Sequence, residues 1–235
     1  MRPTLTRILV VTAVAAECDA ALAELPAGPS VPVLGYQVRR APTGAGELTC
    51  LAAGVGPVAA AVGAASVLAV DGRFDAVLSV GVGGGFADRA PVGSLVVADR
   101  VVLADLGADS PRGFLPLDEL GLGPVTIDLP ADRVRAAGRR VGTVTTTAVG
   151  PVLTVCTATG TDERAARMAA RHHPAAEAME GGAVLAAATA HGLPFWELRA
   201  ISNVVGRRDR SAWSLPAALS LLGRAVATLL EDRLI

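Results

Sequence analysis

Apolar runs about a strand long recur along this chain, alternating with longer stretches at helical spacing. Ile8-Leu9-Val10-Val11, Leu48 to Ala53, Ala76 to Val80, Ser94 to Leu103 and Trp196 to Ile201 carry few polar side chains. That is the pattern of strands covered on both faces. Val141 to Thr147 and Val152 to Val155 predict further strands rich in Val and Thr. Between them the sequence predicts an Ala-rich helix opening near Glu17 and a helix from Pro57 to about Asp71, with Pro at its first position after Gly54-Val55-Gly56. Thr161 caps another helix through His172, Glu180 to Ala190 forms one stopped by Gly192, and a last helix starts at Leu215. Alternation of this kind predicts an α/β fold, a mainly parallel sheet sandwiched by helices in three layers. No linker or charge block divides the 235 residues, so a single domain over 1–235 is expected.

Composition narrows the partners. The chain is 51% hydrophobic and 18% charged with a formal net charge of −1, so core material is ample and no basic field invites nucleic acid. Aromatics at 3% argue against stacking platforms for single strands. A small neutral or anionic metabolite is the expected partner. Leu48 to Val70 is uncharged and long enough to span a bilayer, but Gly54, Gly56, Pro57 and Gly63 interrupt it, so no membrane span is expected. Met1 to Arg7 lacks the apolar run of an export signal. Cys18, Cys50 and Cys156 are unpaired in spacing and set in apolar surroundings, which predicts buried thiols of a reducing cytoplasm. His172, His173 and His191 match no ligand spacing, and neither a metal nor a cofactor is expected.

Candidate chemistry sits where strands end. Glu180 in Glu177-Ala178-Met179-Glu180 and Asn203 in Ile201-Ser202-Asn203 each follow an apolar run, and ligands of open α/β sheets bind outside the carboxyl ends of strands. Singly, Glu180 also reads as a helix-start acid and Asn203 as a turn residue, as Glu17 reads as an acid favoured by a helix dipole. Gly54-Val55-Gly56 and Gly81-Val82-Gly83-Gly84-Gly85 follow strands without completing a dinucleotide fingerprint, and no P-loop triplet occurs. The second cluster lets a base or sugar edge lie close against Val82-Gly83-Gly84, since no Cβ intervenes. Were the first, third and last strands adjacent, Glu17, this loop, Glu180 and Asn203 would share one edge of the sheet.

Val10 to Glu17, Gly54-Val55-Gly56, Ser79 to Gly84, Ala178-Met179-Glu180 and Ile201-Ser202-Asn203 together resemble the ordered motifs of the purine nucleoside phosphorylase and methylthioadenosine nucleosidase superfamily. Thr157 to Thr161, Glu177 to Gly181 and Ser202 to Asp209 are similar to the futalosine hydrolase branch. The resemblance implies a nucleoside phosphorylase-like αβα sandwich around a mixed, mostly parallel twisted sheet. It also implies a homo-oligomer and hydrolysis of futalosine to hypoxanthine and a dehypoxanthinyl product on a menaquinone route. Under it, Glu17 is the general base for water, Glu180 holds the ribose hydroxyls and faces the developing sugar cation, and Met179 is an apolar wall under the sugar. Asn203 stands where the methylthioadenosine nucleosidases carry Asp; its amide can donate towards N7 and O6 of a 6-oxopurine but yields no proton. Val82 and Gly83 border the purine nucleoside, Thr157 is a candidate for its base edge, and Phe114 for a cover. Arg207 and Arg208 are within reach of the benzoate of futalosine, or are surface charges paired with Asp209. Phosphorolysis needs a cationic cradle, and the sequence places no Arg beside Gly54 or Gly83; a noncatalytic purine-binding protein is the other alternative.

Overall fold

The computed structural model describes residues 6–44 and 46–230. In chain order its elements are β1 (Thr6–Thr12), α1 (Ala15–Leu22), β2 (Ser30–Val33), β3 (Tyr36–Pro42), β4 (Gly46–Ala52), α2 (Pro57–Val70), β5 (Ala76–Gly85) and β6 (Leu95–Leu103). There follow β7 (Gly107–Ala108), β8 (Leu115–Pro116), β9 (Thr126–Asp128), α3 (Ala131–Val141), β10 (Thr147–Thr154), α4 (Asp162–His172), β11 (Ala176–Ala178), α5 (Gly181–Ala190), β12 (Phe195–Val204) and α6 (Leu215–Leu230).

Ten strands make one mixed sheet in the order β11-β10-β6-β12-β5-β1-β4-β3-β2, with β9 beside β6. Its heart is a parallel block, β4-β1-β5-β12, in which the first, third and last of the strands expected from the apolar runs, β1, β5 and β12, lie side by side. A second parallel block, β6-β10-β11, runs against it. Successive residues of a strand point to opposite faces. Ile8 and Val10 therefore enter one core with α1, α3 and α6, while Leu9 and Val11 enter the other with α2 and α5. Both faces are covered, which is why these strands read as unbroken apolar runs.

The sheet also curls. β11 pairs parallel with β10 and antiparallel with β5, so β5, β12, β6, β10 and β11 close on themselves. This closure puts Glu177 of β11 and Asn203 of β12 in register with the same residue, Gly84 of β5.

Three expectations need correction. Val141 ends α3 rather than opening a strand; Val134, Ala137 and Val141 form its buried stripe among charged residues. Thr143 to Thr146 are turn and loop, and a single strand, β10, opens only at Thr147 and passes Gly150-Pro151 as a bulge instead of breaking there. Cys156 is exposed, its backbone N–H donating to Asp105; only Cys18 and Cys50 are buried, and all three are free thiols. Leu48 to Val70 is β4, a turn and α2, and no helix among the described residues is long and apolar enough to cross a membrane. Of the opening segment, Met1 to Leu5 lies outside the described residues.

Candidate active site

The carboxyl ends of β1, β5, β11 and β12 surround a cleft of about 560 Å³, a size suited to a nucleoside-scale ligand. Glu17, Val82, Gly83, Met179, Glu180 and Asn203, scattered over the sequence, all line it. Thr157 does not: it is exposed, its N–H donates to Asp105 and its carbonyl accepts from Arg164, and the neighbours Ala158 and Thr159 form the wall instead. Phe114 stacks under Arg171, 4.8 Å from its guanidinium, and is not part of the lining.

Glu17 is the third residue of α1, and its carboxylate reaches back to the chain entering the helix. Oε2 accepts the N–H groups of Ala13 (2.9 Å) and Val14 (3.3 Å), half of a capping box whose other half the Val14 side chain cannot supply. Oε1 accepts the N–H of Val82 at 2.9 Å. The acid thus caps its helix and is also pinned between the ends of β1 and β5 at the cleft wall.

Glu180 joins two other turns. Its Oε1 accepts from the N–H of Gly56 (3.0 Å) at the start of α2, and its Oε2 from Met179 (3.2 Å). Gly56 has φ +90°, a conformation strained for any residue with a side chain, and that conformation sets the N–H that Glu180 accepts. Asn203 lies at a bulge of β12, where register slips between Ile201 and Asn203. Its Oδ1 accepts from the Ser202 hydroxyl (2.9 Å) and its Nδ2 donates to the Val204 carbonyl (3.1 Å), leaving one amide hydrogen for a ligand.

Behind these residues lies a group that the motif reading missed. Arg199, 1% exposed, donates through Nε to Glu197 (3.0 Å) and through Nη2 to Ser79 (2.7 Å), with Nη1 3.8 Å from Glu180. A side chain on Gly81 would collide with both Arg199 and Glu17. Against the expectation of no Arg beside Gly54 or Gly83, Arg199 packs beside Gly83, although its guanidinium is already committed to carboxylates. Burial presses the Arg199 pKa down, but the charges of Glu197, Glu180 and Glu17 outweigh it and hold the group above its ordinary value. Burial likewise pushes the Glu197 carboxyl up against the opposing pull of Arg199. The signal was present in Glu197-Leu198-Arg199: two opposite charges on one face of an otherwise apolar strand.

At the outer end, Arg208 and Arg210 hold their guanidinium carbons 5.1 Å and 5.9 Å from the Trp213 ring, and all three line the cleft. Asp209 turns away to Ser211. Arg207 is exposed, donates its backbone N–H to Asp162 and is not part of the lining. Among the described residues no group of His, Cys, Asp and Glu is arranged to hold a metal ion.

Fold and cleft define a nucleoside-processing α/β protein, and the sequence profile of the Phosphorylase superfamily matches residues 7–231. A solved 5'-methylthioadenosine/S-adenosylhomocysteine nucleosidase of Helicobacter pylori superposes with a TM-score of 0.86 over 97% of this chain and 99% of its own, at 18% identity, which speaks to the fold. The chain belongs to the futalosine hydrolase family of that superfamily. It is 51% identical to the futalosine hydrolase of Streptomyces coelicolor over 94% of both chains. It is 43% identical to that of Acidothermus cellulolyticus, over 94% of this chain and 89% of the relative.

Proposed function

We propose that this protein hydrolyses the N-glycosidic bond of futalosine, releasing hypoxanthine and dehypoxanthinylfutalosine, a step that in the resembling family serves menaquinone formation. The observation that carries the reading is the meeting of Glu17, Glu180 and Asn203 in one cleft beside Val82-Gly83. Breaking the C1′–N9 bond sends its electron pair to the purine and leaves an oxocarbenium-like ribose. Glu180 accepts hydrogen bonds from the ribose hydroxyls and sets negative charge near the cation, above the Met179 thioether. Glu17 orients a water towards C1′ and takes its proton as the new C–O bond forms. Asn203 donates to the departing 6-oxopurine without giving up a proton, so the base is protonated from solvent.

Water is favoured over phosphate as the nucleophile because Glu17, Glu177 and Glu180 make the inner cleft acidic, and the guanidinium behind them is taken by Glu197. At the mouth, Arg208 and Arg210 on Trp213 are free to receive the benzoate carboxylate of futalosine; neither has a carboxylate partner among the described residues.

The same reading includes a homo-oligomer. The outer face of α2 supports it: Val58 is 77% and Val62 54% exposed, and Val55, 60% exposed, also lines the cleft. A second copy covering this face would shut one side of the site. The free thiols fit a reducing compartment, the cytoplasm.

Incubating purified protein with futalosine and with inosine, and measuring free hypoxanthine, tests the reading. Release from futalosine is expected. Binding of hypoxanthine with no release from any nucleoside would instead mark a noncatalytic purine-binding protein.

A further inference from the structure

One residue after Glu17, α1 carries a thiol that the mechanism does not use. Cys18 is 3% exposed and Cys50 of β4 is fully buried, and both belong to the core that α1 and α6 form on the sheet. The two thiols hydrogen-bond each other, and both are free. Arg39 stands in register with Cys50 across the antiparallel pair β3 and β4, so the two side chains leave the same face of the sheet, the face that α1 covers. There Arg39 pairs with Asp19, the residue after Cys18.

Cys18 is buried but not sealed. It lines a second cavity of about 240 Å³, whose polar walls are Asp19, Ser30, Gln37 and Arg39 and which shares no residue with the cleft. Such a space admits a small polar molecule to the sulfur. Cys50 is outside this lining, deeper in the core. The bond from Cys50 pulls the Cys18 thiol below its ordinary pKa, with Arg39 assisting and burial and Asp19 opposing. Burial and the same bond push the Cys50 thiol well up. The sulfur that meets the cavity is thus the better nucleophile, and the sulfur behind it keeps its proton.

We propose that Cys18 and Cys50 form a peroxide-oxidisable thiol pair whose disulfide disables the cleft by drawing α1 away from the anchor of Glu17. The inference goes beyond the hydrolase reading and is independent of which nucleoside the cleft takes. The Cys18 thiolate attacks one oxygen of hydrogen peroxide, the O–O bond breaks, and the departing hydroxide leaves as water with the proton that the thiol gave up. The Cys50 sulfur then attacks the resulting sulfenic acid; its S–O bond breaks and the oxygen leaves as a second water, carrying the Cys50 proton. Two thiols are oxidised by two electrons and one peroxide is reduced to two waters.

The strand order converts this bond into a displacement. β1 lies between β4 and β5. Cys18 faces Cys50 on β4, whereas Glu17 reaches the opposite way, to the N–H of Val82 on β5 at 2.9 Å. Disulfide sulfurs stand about 2 Å apart, closer than hydrogen-bonded thiols, so α1 must move towards β4. That movement stretches the bond from Glu17 to Val82 and turns the carboxylate from its place in the cleft wall.

The test uses Cys156→Ser protein, which lacks the exposed thiol, treated with excess hydrogen peroxide. Peptide mass spectrometry reads a Cys18 to Cys50 crosslink, and hypoxanthine release from futalosine reads the site. The expected result is a crosslink together with a fall in turnover of about 10-fold to 100-fold, the scale of a misplaced catalytic group, restored by a dithiol. Adding Cys18→Ala should leave turnover intact through the same treatment. If a thermal melt shows that this variant folds poorly, Cys50→Ala replaces it, and Cys18 should then stop at a sulfenic acid that a 1,3-diketone traps. Thiols that survive the peroxide, a crosslink with turnover unchanged, or Cys50→Ala without the trapped adduct would overturn the proposal. Untreated protein that releases no hypoxanthine would remove the hydrolase reading instead, while the crosslink still decides the thiol pair.

Discussion

Nη1 of Arg199 lies 3.8 Å from Oε2 of Glu180, while Nε of the same guanidinium is bonded to Glu197 behind it. Glu180, which lines the cleft, is thus backed by a buried cation, itself balanced by Glu197, which is buried and outside the cleft lining. One oxygen of Glu197 has no partner among the described residues, so the pair is less than fully satisfied. Arg199→Met should cost about 3–5 kcal/mol, because it strands buried carboxylates. Adding Glu197→Gln should recover part of that stability without recovering turnover, since Glu180 still lacks its backing charge. Denaturant melts and hypoxanthine release on the single and double variants check both halves; equal stability of the single variant and wild type would contradict the account.

Asn203→Asp should weaken 6-oxopurine turnover by about tenfold, because an ionised carboxylate opposes both O6 and N7 where the amide donates. The base preference should shift towards adenine at acid pH, where a protonated carboxyl can serve N7. Rates with inosine and adenosine across pH measure this. Unchanged turnover and unchanged preference would remove the role given to Asn203.

Arg208→Ala and Arg210→Ala act at the mouth, beyond the ribose. Each should raise KM for futalosine by about tenfold, in the range for a lost charge-assisted hydrogen bond, and leave inosine nearly unaffected. Steady-state kinetics with the two nucleosides provide the check, and a parallel loss for both would mean that these arginines support the fold rather than read the carboxylate.

Glu177 carries a stability signature. Burial raises its pKa in the folded state, so between the ordinary Glu value and the raised one the native protein holds more protons than the unfolded chain, and stability contributed by the neutral form is lost as pH rises. Thermal melts from about pH 4 to about pH 8 should therefore show Glu177→Gln gaining on wild type as pH rises through that window. Parallel curves would contradict the raised value.

Much of this was legible before any coordinates. β1, β5 and β12 are covered on both faces, so their sequences are largely apolar and stand out as strands, with Glu197 and Arg199 of β12 the charged exceptions inside the core. The hairpin of β2 and β3 left no such trace: its turn places Leu34 at φ +44° and Gly35 at φ +84°, and a leucine is no turn signal. α3 was hidden by its charges, which mask a three-residue stripe. At the site, the sequence placed Glu17, Glu180 and Asn203 together at one cleft, whereas Thr157 lies outside it beside Ala158 and Thr159, because loop geometry decides which side chain turns inward. Glu177 was invisible as a cleft residue because its place depends on β11 bridging β5 and β10, a closure that no local pattern encodes.

The central claim is that Glu17 delivers water to C1′ in the cleft it shares with Glu180 and Asn203. Turnover of futalosine in oxygen-labelled water with phosphate present, by wild type and Glu17→Gln, tests it most directly, with the sugar product read by mass spectrometry. The account predicts one labelled oxygen on C1′, no sugar phosphate, and a rate about 10²–10⁴-fold lower in the variant. Unlabelled sugar phosphate, or label arriving equally fast without the Glu17 carboxylate, would contradict it.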